Sequence, residues 1–167
     1  MSKTFSDASL LSRIVLEIAK PLAESRITHV WGIEARGLYL ASALAIRLGA
    51  GLVPVRKPGK LPSEVFQAQG QVQSLMSSSG VTVTSTGKNS TYHKDYIFEV
   101  SKSAVQEAQR ILIVDDILAR GGSIDATRRI ARMAGSEIVE AVTIIELQGL
   151  GGRSTLQGIP LRTLVKV

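Results

Sequence analysis

Ile111-Leu112-Ile113-Val114 is an unbroken apolar run that ends on two adjacent carboxylates, Asp115 and Asp116. Such a run marks a strand covered on both faces. After Ile117 and Leu118 comes Ala119-Arg120-Gly121-Gly122-Ser123, a glycine-bearing turn that opens a helix from about Gly122 to Met133. In open α/β sheets, ligands sit beyond the carboxyl ends of the strands. Glycines let backbone N–H groups approach an anion, and a helix N-terminus adds unpaired donors and partial positive charge. Ser123 adds a hydroxyl donor. The two carboxylates can accept hydrogen bonds from sugar hydroxyls and can help hold Mg²⁺, directly or through water. A ligand with ribose hydroxyls on one side and a 5′-phosphate on the other satisfies both halves. The same pattern also suits an Asp-rich turn that merely caps a helix.

The rest of the chain alternates helices and strands. Leu10, Leu11, Ile14, Val15, Ile18, Ala19 and Leu22 recur at helical spacing and predict a helix from Asp7 to about Glu24. His29–Ile33 reads as a short buried strand, Leu38–Leu48 as a helix stopped by Gly49, and Leu52–Val55 as a strand whose Pro54 suggests an edge or a strand end. Ile138–Ile145 and Leu161–Val167 read as further strands. From Pro58 to Asp95 the composition turns to Gly, Ser, Thr, Gln and Lys. There Val81-Thr82-Val83-Thr84 alternates as a half-exposed strand would, with Tyr96–Val100 as its expected partner. The expectation is one α/β domain over residues 1–167, with a mainly parallel sheet flanked by helices. Residues 58–97 read as an inserted loop and β-flap.

Composition excludes several chemistries. The 167 residues include no cysteine, so neither a disulfide framework nor a thiolate metal site is available. No apolar run approaches a membrane span, and Met1-Ser2-Lys3-Thr4 leads into polar sequence, so a cytoplasmic protein is expected. The net charge of +6 suits a polyphosphate ligand, and equally nucleic acid or an acidic partner. No basic run with interleaved aromatics accompanies it, which argues against nucleic acid.

The stretch from Ile111 to Ser123 resembles the phosphoribosyl pyrophosphate signature of the type I phosphoribosyltransferases. Two further blocks, Gly32-Ile33-Glu34-Ala35-Arg36-Gly37 and Val53-Pro54-Val55-Arg56-Lys57-Pro58-Gly59-Lys60-Leu61-Pro62, are most similar to the members of that family that use adenine. The resemblance implies transfer of 5-phosphoribosyl from phosphoribosyl pyrophosphate to a purine base, with Mg²⁺ accompanying the pyrophosphate. It assigns Asp115 and Asp116 to the ribose hydroxyls and the metal, and Ala119, Arg120, Gly121, Gly122 and Ser123 to the 5′-phosphate. Arg36, Arg56, Lys57 and Lys60 go to the pyrophosphate, with Asp115, Asp116, Arg36 and Lys60 as the catalytic set. The N-terminal arm and C-terminal segment would form a small hood in which Phe5 and Leu147 sandwich the base, and a homodimer is expected. Without the resemblance, Arg56, Lys57 and Lys60 read as a solvated basic loop, Phe5 as a helix staple and Leu147 as core.

Three departures from the family bear on specificity. Arg120 stands where the family usually has Thr, the arm before Phe5 is short, and the family's catalytic loop with its Tyr and Glu is not recognisable between Lys60 and Asp115. Tyr92 or Tyr96 could cover the site instead, with Asp95 as an acid–base group, but the segment reads equally as a solvated hairpin. A different nitrogen heterocycle, or a non-catalytic sensor of phosphoribosyl pyrophosphate, stays open as a reading.

Overall fold

The computed structural model describes residues 2–71, 96–106 and 108–167, with side chains from Thr4 onward. Five strands, β1 (His29–Ile33), β2 (Gly51–Val55), β5 (Arg110–Leu118), β6 (Glu137–Glu146) and β7 (Leu161–Lys166), form a parallel sheet in the order β2-β1-β5-β6-β7. Two more, β3 (Val65–Gln69) and β4 (Ile97–Ser101), form a separate antiparallel pair. The helices are α1 (Ser2–Ser6), α2 (Ala8–Ala19), α3 (Gly37–Leu48), α4 (Gly122–Met133) and the short α5 (Gly152–Thr155).

Successive strand residues face opposite sides of a sheet, and here both sides are apolar. Val30, Leu112, Val114 and Val142 meet α2 and α3, through Ile14, Ile18, Leu40 and Leu44. Trp31, Ile33, Ile111 and Ile113 meet α4 and the small sheet, through Ile124, Ile130, Phe98 and Val100. This double cover explains the continuous apolar run at Ile111–Val114. As Pro54 suggested, β2 is an edge strand, where a missing N–H leaves no ladder bond unmade.

Three elements differ from the sequence expectation. The first helix does not reach Glu24. Pro21 lacks an N–H and its ring opposes further α-helix, so α2 ends at Ala19 and tightens into a 3₁₀ turn over Lys20–Leu22. At the start of α2, Asp7 accepts from Leu10 N at 2.9 Å, and Leu10 itself is exposed rather than part of the buried face. Second, Val65–Gln69 is a strand, not loop. Phe66 and Ala68 pack on the core while Gln67 and Gln69 alternate with them. It is this strand that pairs with β4; Val81–Thr84, the expected partner, lies outside the described residues. Third, β5 continues through the two carboxylates to Leu118, because Ile117 and Leu118 stay in register with Ile145 and Glu146 of β6.

Candidate active site

Asp115 and Asp116 sit in the last part of β5, 9% and 5% exposed. Asp116 N donates to Asp115 Oδ1 at 2.8 Å. Burial, and next the charge of Asp116, push the Asp115 carboxyl well above the usual carboxylate range, with Arg36 opposing. Asp116 Oδ2 lies 2.7 Å from Arg36 Nε, but it is buried with no hydrogen bond among the described residues. The charges are close, while the N–H does not point along the line between them. The Arg36 charge offsets part of the cost of burying this oxygen, which still has an acceptor position with no donor aligned on it.

The turn after β5 is braced from several directions. Gly121 caps α4 in the left-handed conformation, φ 82°. Gly152 of α5 packs behind it so closely that a Cβ there would stand 2.3 Å from the Ala119 carbonyl oxygen. Tyr96 lies against Gly122. With Asp115 and residues 117–124, Tyr96 lines a cavity of about 50 Å³ at the head of α4. Arg120 borders that cavity, half-buried and without an ion pair among the described residues. Backbone donors at the head of a helix, beside an uncommitted guanidinium, suit a phosphate.

The basic block is organised by a residue that the sequence reading left without a role. Glu34 accepts from Arg56 Nε at 3.0 Å, from Lys57 N at 2.9 Å and from Lys60 Nζ. Burial alone would raise the Glu34 pKa, but these three donors together hold it at about 2. Glu99, buried on β4, accepts from Lys60 N and Leu61 N at 3.1 and 3.3 Å. The Lys57 ammonium lies 4.5 Å from the centre of the Phe98 ring. Glu34 and Arg36 share the loop between β1 and α3, in which the Glu34–Ala35 peptide is cis. This loop therefore joins the basic block to Asp116.

Phe5 and Leu147 are anchored separately. Phe5 meets Tyr39 of α3 edge-on, ring centres 5.7 Å apart. Leu147, half-buried, donates its N–H to the Leu118 carbonyl at 2.9 Å, which keeps it at the carboxyl end of the sheet. Beside it, Glu146 is held below the usual carboxylate range chiefly by Arg153, whose guanidinium makes bonds of 3.1 and 2.6 Å to it. His29 stands at the start of β1, beside Gln109, away from these residues. Tyr92, His93 and Asp95 lie outside the described residues. Among the described residues, no group of three or more His, Cys, Asp or Glu is placed to hold a metal ion.

A parallel sheet that presents paired acids, a glycine-rich helix start and a basic loop at one carboxyl edge defines an α/β protein built around a sugar phosphate. Residues 3–155 match the family model described as the phosphoribosyl transferase domain, and the chain belongs to that family. It is 37% identical over 161 residues to the adenine phosphoribosyltransferase of Brucella anthropi, covering 95% of this chain and 78% of that protein. Among solved structures it resembles adenine phosphoribosyltransferase from Thermoanaerobacter pseudethanolicus, with TM-score 0.81, 32% identity, and 99% and 86% of the two chains covered. It also resembles the Saccharomyces cerevisiae enzyme complexed with an imino-altritol bisphosphate and adenine, with TM-score 0.77, 32% identity, and 96% and 82% covered.

Proposed function

We propose that this protein transfers 5-phosphoribosyl from phosphoribosyl pyrophosphate to adenine, forming AMP and pyrophosphate. The observation that carries this reading is the buried Asp115–Asp116 pair, set directly before the glycine-bearing turn at residues 119–123 and its cavity at the head of α4. The adenine specificity rests on the relatives, whose names agree on that base.

In the reaction, the bond from the anomeric carbon to the pyrophosphate oxygen breaks and a bond to adenine N9 forms. The N9 proton passes to solvent. Asp115 and Asp116 bind the ribose hydroxyls, and Ala119, Arg120, Gly121, Gly122 and Ser123 hold the 5′-phosphate. Arg36, Arg56, Lys57 and Lys60 face the departing pyrophosphate and stabilise its growing charge. Arg56 and Lys60 are already tied to Glu34, so the cations are placed before the ligand arrives. Asp115 and Asp116 are the carboxylates that would help hold Mg²⁺, directly or through water, if it accompanies the pyrophosphate. When bound, the metal neutralises leaving-group charge. Phe5 and Leu147 flank the base.

A cytoplasmic homodimer completes the reading. Tyr39 and Ile46 on α3 and Leu52 on edge strand β2 expose apolar surface that a second copy would cover.

The test is pyrophosphate release from phosphoribosyl pyrophosphate and Mg²⁺ with adenine, guanine, hypoxanthine, xanthine, orotate or uracil. Release with adenine alone supports the proposal. Release with another base overturns the specificity, and none with any base overturns the enzymatic reading.

A further inference from the structure

Tyr96 immediately precedes β4, and its carbonyl accepts from Gly70 N at 3.0 Å, which closes the end of the β3–β4 ladder. The next residue, Gln71, donates its N–H to Asp125 Oδ2 at 2.8 Å. Asp125 is 1% exposed in the first turn of α4 and is also held by Arg128 and Arg129. Arg129 reaches back to Gln71 Oε1 at 3.0 Å. The stem of the small sheet is thus fastened to the helix whose head forms the phosphate turn.

This fastening sets the Tyr96 ring on the Cα of Gly122, where an added Cβ would stand 2.5 Å from ring carbons. The position tolerates no side chain while Tyr96 is in place. The ring lines the same cavity as Asp115, Arg120, Gly121 and Ser123. N–H donors at a helix head bind an anion more strongly when water is kept from the site, because the local dielectric falls.

We propose that Tyr96 is a wall of the 5′-phosphate pocket, a binding residue outside the Asp115–Ser123 signature, and that Gly122 is glycine in order to admit its ring. The inference rests on the phosphoribosyl reading above. It requires that loss of the ring weaken the phosphate end of the ligand and leave the pyrophosphate end alone.

The experiment is calorimetric titration of the full chain with two probes, ribose 5-phosphate and inorganic pyrophosphate with Mg²⁺. Tyr96→Ala is expected to weaken ribose 5-phosphate binding by about tenfold and to change pyrophosphate binding by less than about twofold. Gly122→Ala, which displaces the ring, should reproduce the loss in the natural background and add little in the Tyr96→Ala background. If the alanine variant does not fold by circular dichroism, Tyr96→Leu provides the same comparison, with an expected loss of about threefold. Unchanged ribose 5-phosphate affinity, an equal loss for both probes, or additive effects of the two substitutions would overturn the role of Tyr96. Binding of neither probe by the natural protein would overturn the phosphoribosyl reading, and this inference with it.

Discussion

Arg36 and Asp116 face one another with Nε 2.7 Å from Oδ2, without a hydrogen bond along that line. The arginine is half open to solvent while the aspartate is buried. Half solvated and with no hydrogen bond aligned on Oδ2, the guanidinium should add only about 1 kcal/mol to folding, so the pair is better suited to handling a ligand than to holding the fold. Arg36→Met should therefore unfold at nearly the same denaturant concentration while losing affinity for phosphoribosyl pyrophosphate. Arg36 opposes the rise in the Asp115 pKa, so its removal should move the carboxyl titration seen by carbon NMR to higher pH. An unmoved titration would show that Arg36 does not act on the pair.

Asp116→Asn removes the like charge beside Asp115. The raised pKa of Asp115 means that its contribution to stability is full below the unfolded value of 3.8 and is lost as pH rises through the folded value. In the variant that loss shrinks, so its melting temperature should rise relative to the natural protein as pH increases above the unfolded value of 3.8. Its affinity for phosphoribosyl pyrophosphate should fall by about ten- to a hundredfold, since a hydrogen bond to a charged group contributes about 1.5–3 kcal/mol. A pH-independent melting difference would rule out the repulsion.

Glu34 carries the opposite sign. Its pKa of about 2 lies below the ordinary 4.5, so its stabilisation is present above 4.5 and lost as pH falls toward about 2. Glu34→Gln should flatten that acid limb and cost about 1 kcal/mol at neutral pH, a figure reduced because Lys60 is half solvated. The Michaelis constant for phosphoribosyl pyrophosphate should rise as Arg56 and Lys60 lose their common anchor. Denaturation profiles at several pH values check the first claim and steady-state kinetics the second.

Phe5→Ala tests the proposed placement of Phe5 at the base. The ring rests on Tyr39, so its loss opens one side of that contact. The Michaelis constant for adenine should rise at least about tenfold while that for phosphoribosyl pyrophosphate stays within about twofold. Equal rises would remove Phe5 from the base pocket.

Arg153→Ala leaves the buried Glu146 without its main partner. The guanidinium is 44% exposed, so the cost should be about 1–3 kcal/mol, below that of a fully buried pair. Thermal unfolding reads it directly; a melting point unchanged from the natural protein would mean that the pair is idle.

The strand, the paired acids and the glycine-bearing turn were legible because each is local: apolar periodicity and glycine placement act within a few residues. Gly49 marked the end of α3 for the same reason, while Pro54 left a sheet edge and a strand end open until the pairing showed the edge. Val65–Gln69 escaped because its alternation is short and its outward residues are glutamines, so only the core contacts of Phe66 and Ala68 define the strand. The helical apolar spacing ran past Pro21, where the missing N–H outweighs the pattern. Glu34 was visible within a quoted block, but its role as an anchor depends on Arg56 and Lys60, brought to it by the pairing of β1 with β2. Tyr96 was one of two lid candidates; its place on Gly122 depends on the Gln71–Asp125 bond between separate elements.

Gly152 sits against Ala119 through a helix of four residues, too short to hold a position by itself. Arg153 holds that helix by bonding Glu146 at the end of β6 and the Leu161 carbonyl at the start of β7. The phosphate turn thus borrows its floor from chain that follows it by some distance. Grafting residues 111–123 onto another parallel sheet would transplant the recognisable letters without the surface that shapes them, and a sequence that kept the signature while losing the residues after Glu146 would advertise a pocket it could no longer build.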